Sequence, residues 1–98
     1  MTKVDTTRRG KRWLFMTNHA HVLVSIAREP GMRMRDIADQ VGITERAVQL
    51  ILRDLEHEGY VAVRRVGRRN FYEIKLSAPM RHPLHEGHVV DELLAILS

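Results

Sequence analysis

Gly42 is the residue that most narrows what this chain can become. Helical periodicity stands on both sides of it, with Ile37, Ala38 and Val41 before and Val48, Ile51, Leu52 and Leu55 after. The second set recurs at i, i+3, i+4 and i+7, which is one buried helical face. A residue without Cβ accepts positive φ at little cost, so Gly42 can end the first helix. Thr44 can begin the second, because its hydroxyl can bond a backbone N–H left without a partner at a helix start. The other face of that second helix carries Arg46, Gln49, Leu50 and Arg53. Two short helices, a tight glycine turn and a polar outward face describe a helix-turn-helix.

The flanking segments support this unit. Thr17 or Asn18 can cap a helix that runs to about Arg28, where Pro30-Gly31 stops it. Val22, Leu23, Ile26 and Ala27 form its inward stripe, and His19 falls near that stripe as a hydrogen-bonded packing residue. Met32-Arg33-Met34 is expected to be a short extended strand, followed by a helix over Asp36 to Val41. Gly59 closes the long helix. Beyond it Val61 and Val63, then Tyr72, Ile74 and Leu76, alternate as two strands with Gly67 and Asn70 at the reversal. After Ala78-Pro79 and Pro83, a last helix from about Gly87 carries Val89, Val90, Leu93, Leu94, Ile96 and Leu97.

Composition limits the function classes. Ninety-eight residues fit one small domain, and the hydrophobic and charged fractions of 44% and 29% are those of a globular chain. No cysteine is present, which removes thiolate nucleophiles, thiolate metal sites and disulfides. No apolar run approaches the ~20 residues needed to span a bilayer, and the first residues lack a secretory core, so the expected location is the cytoplasm. The net charge of +4 is unevenly spread. Lys3, Arg8, Arg9, Lys11 and Arg12 crowd the beginning, while Arg64, Arg65, Arg68, Arg69 and Lys75 crowd the hairpin. Two basic segments around a helix of mixed charge suit a polyanion gripped from its edges.

From Arg35 to Gly59 the chain resembles the core of bacterial winged helix-turn-helix regulators, the broad group that includes MarR-type and ArsR-type repressors. Gly42-Ile43-Thr44, Ala47-Val48 and Leu55-Glu56-His57-Glu58-Gly59-Tyr60-Val61 carry the likeness, which extends over residues 13–76. The resemblance implies an α+β, mostly α fold: a three-helix core, a two-stranded wing with a short extra strand, and here an added C-terminal helix. It divides the chain into a flexible basic arm at 1–12, a DNA-binding domain at 13–77, and a loop and helix at 78–98. It also implies double-stranded DNA as partner, with the wing reaching the minor groove beside the recognition helix.

The side chains suit that role. Arg46 can bond guanine, Gln49 can match adenine, and Leu50 can meet thymine methyl groups. Arg53 and Thr44 suit phosphate, and Glu45 either accepts from cytosine or stabilises the helix start. On the wing Arg68 and Arg69 occupy the tip. Of Arg64 and Arg65, only one is expected to face DNA, because strand side chains alternate. The greasy last helix and the cluster at Trp13 and Leu14 are expected to join two copies, using Val89, Val90, Leu93, Leu94 and Leu97. A protein-interaction adaptor is the alternative of a different class. His82, His85 and His88 suggest a metal-responsive variant, but Pro83 and Gly87 interrupt their spacing, and no cofactor is expected. No catalytic constellation is visible, so no enzymatic activity is expected. Whether a small-molecule effector exists is not legible from the sequence.

Overall fold

The computed structural model describes residues 13–97, so the expected arm at 1–12 lies outside the described residues. In order come α1 (Asn18–Arg28), α2 (Met34–Val41), α3 (Glu45–His57), the hairpin strands β1 (Val61–Val66) and β2 (Arg69–Ile74), and α4 (Val90–Leu97). A single 3-10 turn, Pro83–His85, lies in the connection before α4. The fold is mostly helical α+β, a winged-helix arrangement.

Thr17 caps α1, its side-chain oxygen accepting from the Ala20 N–H at 3.3 Å. Val22, Leu23 and Ile26 then face inward together with Ser25. His19 falls on the same side by spacing, three residues before Val22, but in the exposed first turn of the helix. Its Nε2 sits at the surface, 2.9 Å from Asp54 Oδ2 on α3. Lying one turn before the first buried residue, it makes its hydrogen bond across to a neighbouring helix without being buried.

The helices α1, α2 and α3 enclose the core, with Val22, Ile26, Ile37 and Val48 almost wholly removed from solvent. Burying aliphatic side chains of this size contributes about 1.5–3 kcal/mol each. Val61 and Tyr72 close the core from the hairpin side.

Among the described residues the sheet has only β1 and β2, antiparallel, pairing Val61 with Ile74 and Val63 with Tyr72. The extra strand expected at Met32-Arg33-Met34 is absent. Arg33 is extended, but Met34 already belongs to α2. The link to the hairpin is one backbone bond a little earlier, Tyr72 N–H to Pro30 O at 3.1 Å. A proline can accept there but could not donate the next bond of a ladder. The inward alternation of the hairpin also ends early, since Val63 and Leu76 are exposed. Beyond Val61 the ribbon projects past the helical layer and leaves Val63 uncovered, whereas Leu76 follows β2 at the foot of the hairpin, where its carbonyl accepts from the Asp91 N–H at 3.0 Å.

The helix α4 returns onto its own domain beside α1, and Val90 and Leu94 enter the common core. Its start is fixed by Glu92, whose carboxylate accepts from the Val89 N–H at 3.3 Å and meets His88 Nδ1 at 2.7 Å. The hydrogen bond from His88, followed by that from Val89, holds the Glu92 carboxyl below its ordinary range.

Candidate nucleic-acid interface

The turn before α3 is built from the two residues singled out in the sequence. Gly42 takes φ 86, in the left-handed region, and donates its N–H to Ala38 O at 2.8 Å. Thr44 is extended, and its hydroxyl accepts from the Ala47 N–H at 3.0 Å. With the helix start fixed and Val48, Ile51, Leu52 and Leu55 buried, the remaining face has one orientation. Thr44, Glu45, Arg46, Gln49, Leu50 and Arg53 all stand exposed on it. Leu50 is 41% exposed, an unfavourable place for an aliphatic chain in water. Arg46 Nη1 donates to Gln49 Oε1 at 2.9 Å, so the two form a pair on the helix surface. A planar guanidinium beside an amide offers donors and an acceptor in a row, as base edges require.

The hairpin is docked at the other end of the same helix. Tyr60 N–H bonds Leu55 O at 2.8 Å, and the next residue, Val61, is buried as β1 begins. Arg64 lies opposite Phe71 and Arg65 opposite Asn70, so these two arginines occupy opposite faces of the ribbon. Arg65 Nε donates to Gly67 O at 3.3 Å and braces the tip, where Gly67 takes φ 63. Arg68 is exposed at the reversal.

Arg69 is placed differently from the expectation of a free tip residue. Its guanidinium donates to the Gly31 carbonyl and lies 5.8 Å from the centroid of the Phe71 ring. The side chain therefore ties the wing to the turn between α1 and α2. Gly31 and Arg69 are far apart in sequence, and no local pattern signals their contact. The same tie assembles a shallow cleft of about 300 Å³ lined by Arg33, Arg68 and Arg69. Arg33 was not among the sequence candidates. Its position just before a short helix, next to the Pro30-Gly31 turn, is the one sequence signal that could have found it.

Gly31 is held small by this arrangement. A Cβ added there would lie 2.6 Å from the Phe71 ring. Gly31→Ala is therefore expected to push Phe71 and the wing away from the turn, at an overpacking cost of about 1–3 kcal/mol. Urea denaturation would read this, and Phe71→Leu should recover part of the loss. An unaltered midpoint for Gly31→Ala would contradict the packing described.

The residues expected to join two copies divide into two groups. Val90 and Leu94 are buried against the chain's own core and offer no surface to a second copy. Val89, Leu93 and Leu97 are half-buried. Trp13 and Leu14 are exposed, Trp13 at 71%, and neither they nor Phe15 pack onto the core. Trp13 and Phe15 meet edge to face, their ring centroids 5.0 Å apart. Ile96 on α4 is 80% exposed.

Among the described residues no three histidine or acidic side chains converge as a metal ion requires. His82 and His85 have ring centroids 5.7 Å apart, whereas His88 is engaged with Glu92. No helix among the described residues is long and apolar enough to cross a membrane.

A family model described as the sugar-specific transcriptional regulator TrmB matches residues 15–76, from the apolar stretch before α1 to the end of the hairpin. Among solved structures, the chain is similar to one described as the predicted DNA-binding transcriptional regulator from E. coli. That likeness has a TM-score of 0.57 at 20% identity and covers 80% of this chain and 70% of the other. At that identity it speaks for the fold. No curated protein matches this sequence.

Proposed function

The chain belongs to the TrmB family of transcriptional regulators, and from that membership we propose that it binds double-stranded DNA sequence-specifically as a homodimer in the cytoplasm. The observation that carries the reading is the outward row of α3. Arg46, Gln49, Leu50 and Arg53 stand uncovered on a helix whose orientation is fixed by the Gly42 turn and the Thr44 cap. In this reading α3 lies in the major groove, Arg46 and Gln49 read base edges, and Leu50 meets thymine methyl groups. Thr44 and Arg53 hold phosphate, and Glu45 stabilises the helix start. Arg68 and Arg33 grip the flanking backbone from their shared cleft, while Arg69 keeps the wing in place for them. Arg64 or Arg65, according to which face of the ribbon meets the duplex, adds one phosphate contact.

The homodimer is supported by the uncovered apolar surface at Trp13, Leu14, Phe15 and Ile96, beside the half-buried Val89, Leu93 and Leu97. A single chain gains nothing by holding such residues in water. A protein with a two-fold axis presents two recognition helices to two half-sites.

Selection from a pool of random duplexes is the direct test, and it should recover a two-fold symmetric motif. Affinity for that motif should fall steeply with salt. With about six neutralised phosphates, log K against log salt has a slope of roughly −5. Arg68→Ala should reduce the slope by about one. A slope that Arg68→Ala leaves untouched takes the wing out of the interface, and a pool that yields no enriched motif ends the proposal.

A further inference from the structure

A cavity of about 740 Å³ opens between α1, the C-terminal half of α3 and the segment leading into α4. Its size is within the ~300–1,000 Å³ typical of sites for small organic molecules. Leu23, Leu55 and Val90 form its base, and all three belong to the hydrophobic core. Met80 and Leu93, both half-buried, add to the apolar wall. Tyr60 presents its ring, because its hydroxyl already donates to Pro79 O at 2.8 Å.

The polar wall sets two arginines, Arg53 and Arg81, against two acids, Asp54 and Glu58, with histidines between them. Its two acids are engaged, Asp54 by His19 at 2.9 Å and Glu58 by Arg81 at 3.6 Å. Arg53 and His57 from α3, with His82 at the cap of the 3-10 turn and His85 within it, also line the cavity. Among the described residues none of these four forms an ion pair with a carboxylate. His82 Nδ1 accepts from the Leu84 N–H at 3.1 Å, which leaves its Nε2 for another partner.

We propose that this cavity binds a small amphipathic organic anion, with a compact aromatic body against the base and one carboxylate among Arg53, His57, His82 and His85. The complementarity is twofold. Removing an apolar body from water suits Leu23, Leu55 and Val90, and a carboxylate suits a wall whose own acids are already satisfied. A sugar fits less well, since hydroxyls on every side would place some of them against the apolar base of Leu23, Leu55 and Val90, which offers them no partner.

The anion also competes for Arg53. That side chain lies on the DNA-reading helix and is one of the phosphate contacts proposed above, so a carboxylate that engages it withdraws it from the duplex. This consequence rests on the DNA-binding reading. Occupancy of the cavity does not.

Isothermal titration of the full chain, without DNA, tests the site first. The probes are 2-naphthoate, the uncharged 2-naphthamide, and maltose. Saturable binding of 2-naphthoate at one per chain is expected, with the amide about ten-fold weaker and maltose without heat. The exposed pair His57→Gln/His85→Gln should weaken naphthoate several-fold without altering the thermal midpoint. No saturable naphthoate binding, equal affinity for the amide, saturable maltose binding, or indifference to the histidine substitutions would each overturn the proposal. Anisotropy with the selected duplex then tests the competition: naphthoate should weaken duplex binding, and Arg53→Gln should abolish that effect. A naphthoate complex that holds the duplex as tightly as the free protein overturns the Arg53 competition. Absence of any duplex binding would instead count against the DNA reading and leave the titration result standing.

Discussion

Replacing Arg46 and Gln49 together with alanine is expected to reduce discrimination between the selected duplex and a scrambled one by on the order of 100-fold. A good bidentate contact to a base contributes about 1–3 kcal/mol of discrimination, and two such contacts reach that range even when they overlap. They do overlap here, because Arg46 Nη1 and Gln49 Oε1 are bonded at 2.9 Å. Each single substitution removes one reader and also frees its neighbour from the pair. The two single effects should therefore fail to add to the double one, by a coupling of about 0.5–3 kcal/mol. Both side chains are exposed, so the stability of the fold should stay within about 0.5 kcal/mol of the parent. Competition binding with paired duplexes measures discrimination directly. A loss spread equally over all sequences would show that these residues hold phosphate and do not read bases.

What the sequence disclosed, and what it did not, follows the range of the interactions involved. The Gly42 turn and the Thr44 cap depend on atoms within a few residues, so their chemistry was visible in the order of residues. The buried face of α3 was equally legible, since Val48, Ile51, Leu52 and Leu55 repeat with the helical period. Arg69 was not. Its tie to Gly31 joins residues 38 apart, and only the assembled fold brings that carbonyl beneath the wing. Alternation in the hairpin predicted Val63 as an inward residue, yet the ribbon outruns the layer that would cover it. The last helix posed a different problem. Its apolar residues demanded burial, but sequence alone does not say whether the covering surface is the same chain or another. The structure uses Val90 and Leu94 within the chain and leaves Ile96 outside. For the candidate interface, the α3 row was readable because exposure follows from periodicity. Arg33 was missed because its significance comes from the cleft it shares with Arg68 and Arg69.

Ile37→Ala should be among the most destabilising single substitutions available, at about 2–5 kcal/mol. Ile37 has no exposure to solvent and lies on α2, which packs against both α1 and α3. Truncating it removes buried apolar surface and leaves a space that three helices would have to close together. Each of those helices is fixed at a turn or cap, which limits how far it can relax. Small domains are stable by only about 5–15 kcal/mol, so the loss is a large fraction of the whole. Ile37→Val, which removes a single methylene, should cost about 0.5–1.5 kcal/mol. Leu84→Ala provides the comparison, because Leu84 is 85% exposed and its truncation should stay within about 0.5 kcal/mol. Urea midpoints at a common slope give all three values. The same variants separate stability from recognition. At temperatures where Ile37→Ala remains folded, its preference among duplexes should match the parent, since α3 keeps its outward row. An Ile37→Ala protein as stable as Leu84→Ala would mean that α2 does not brace the recognition helix.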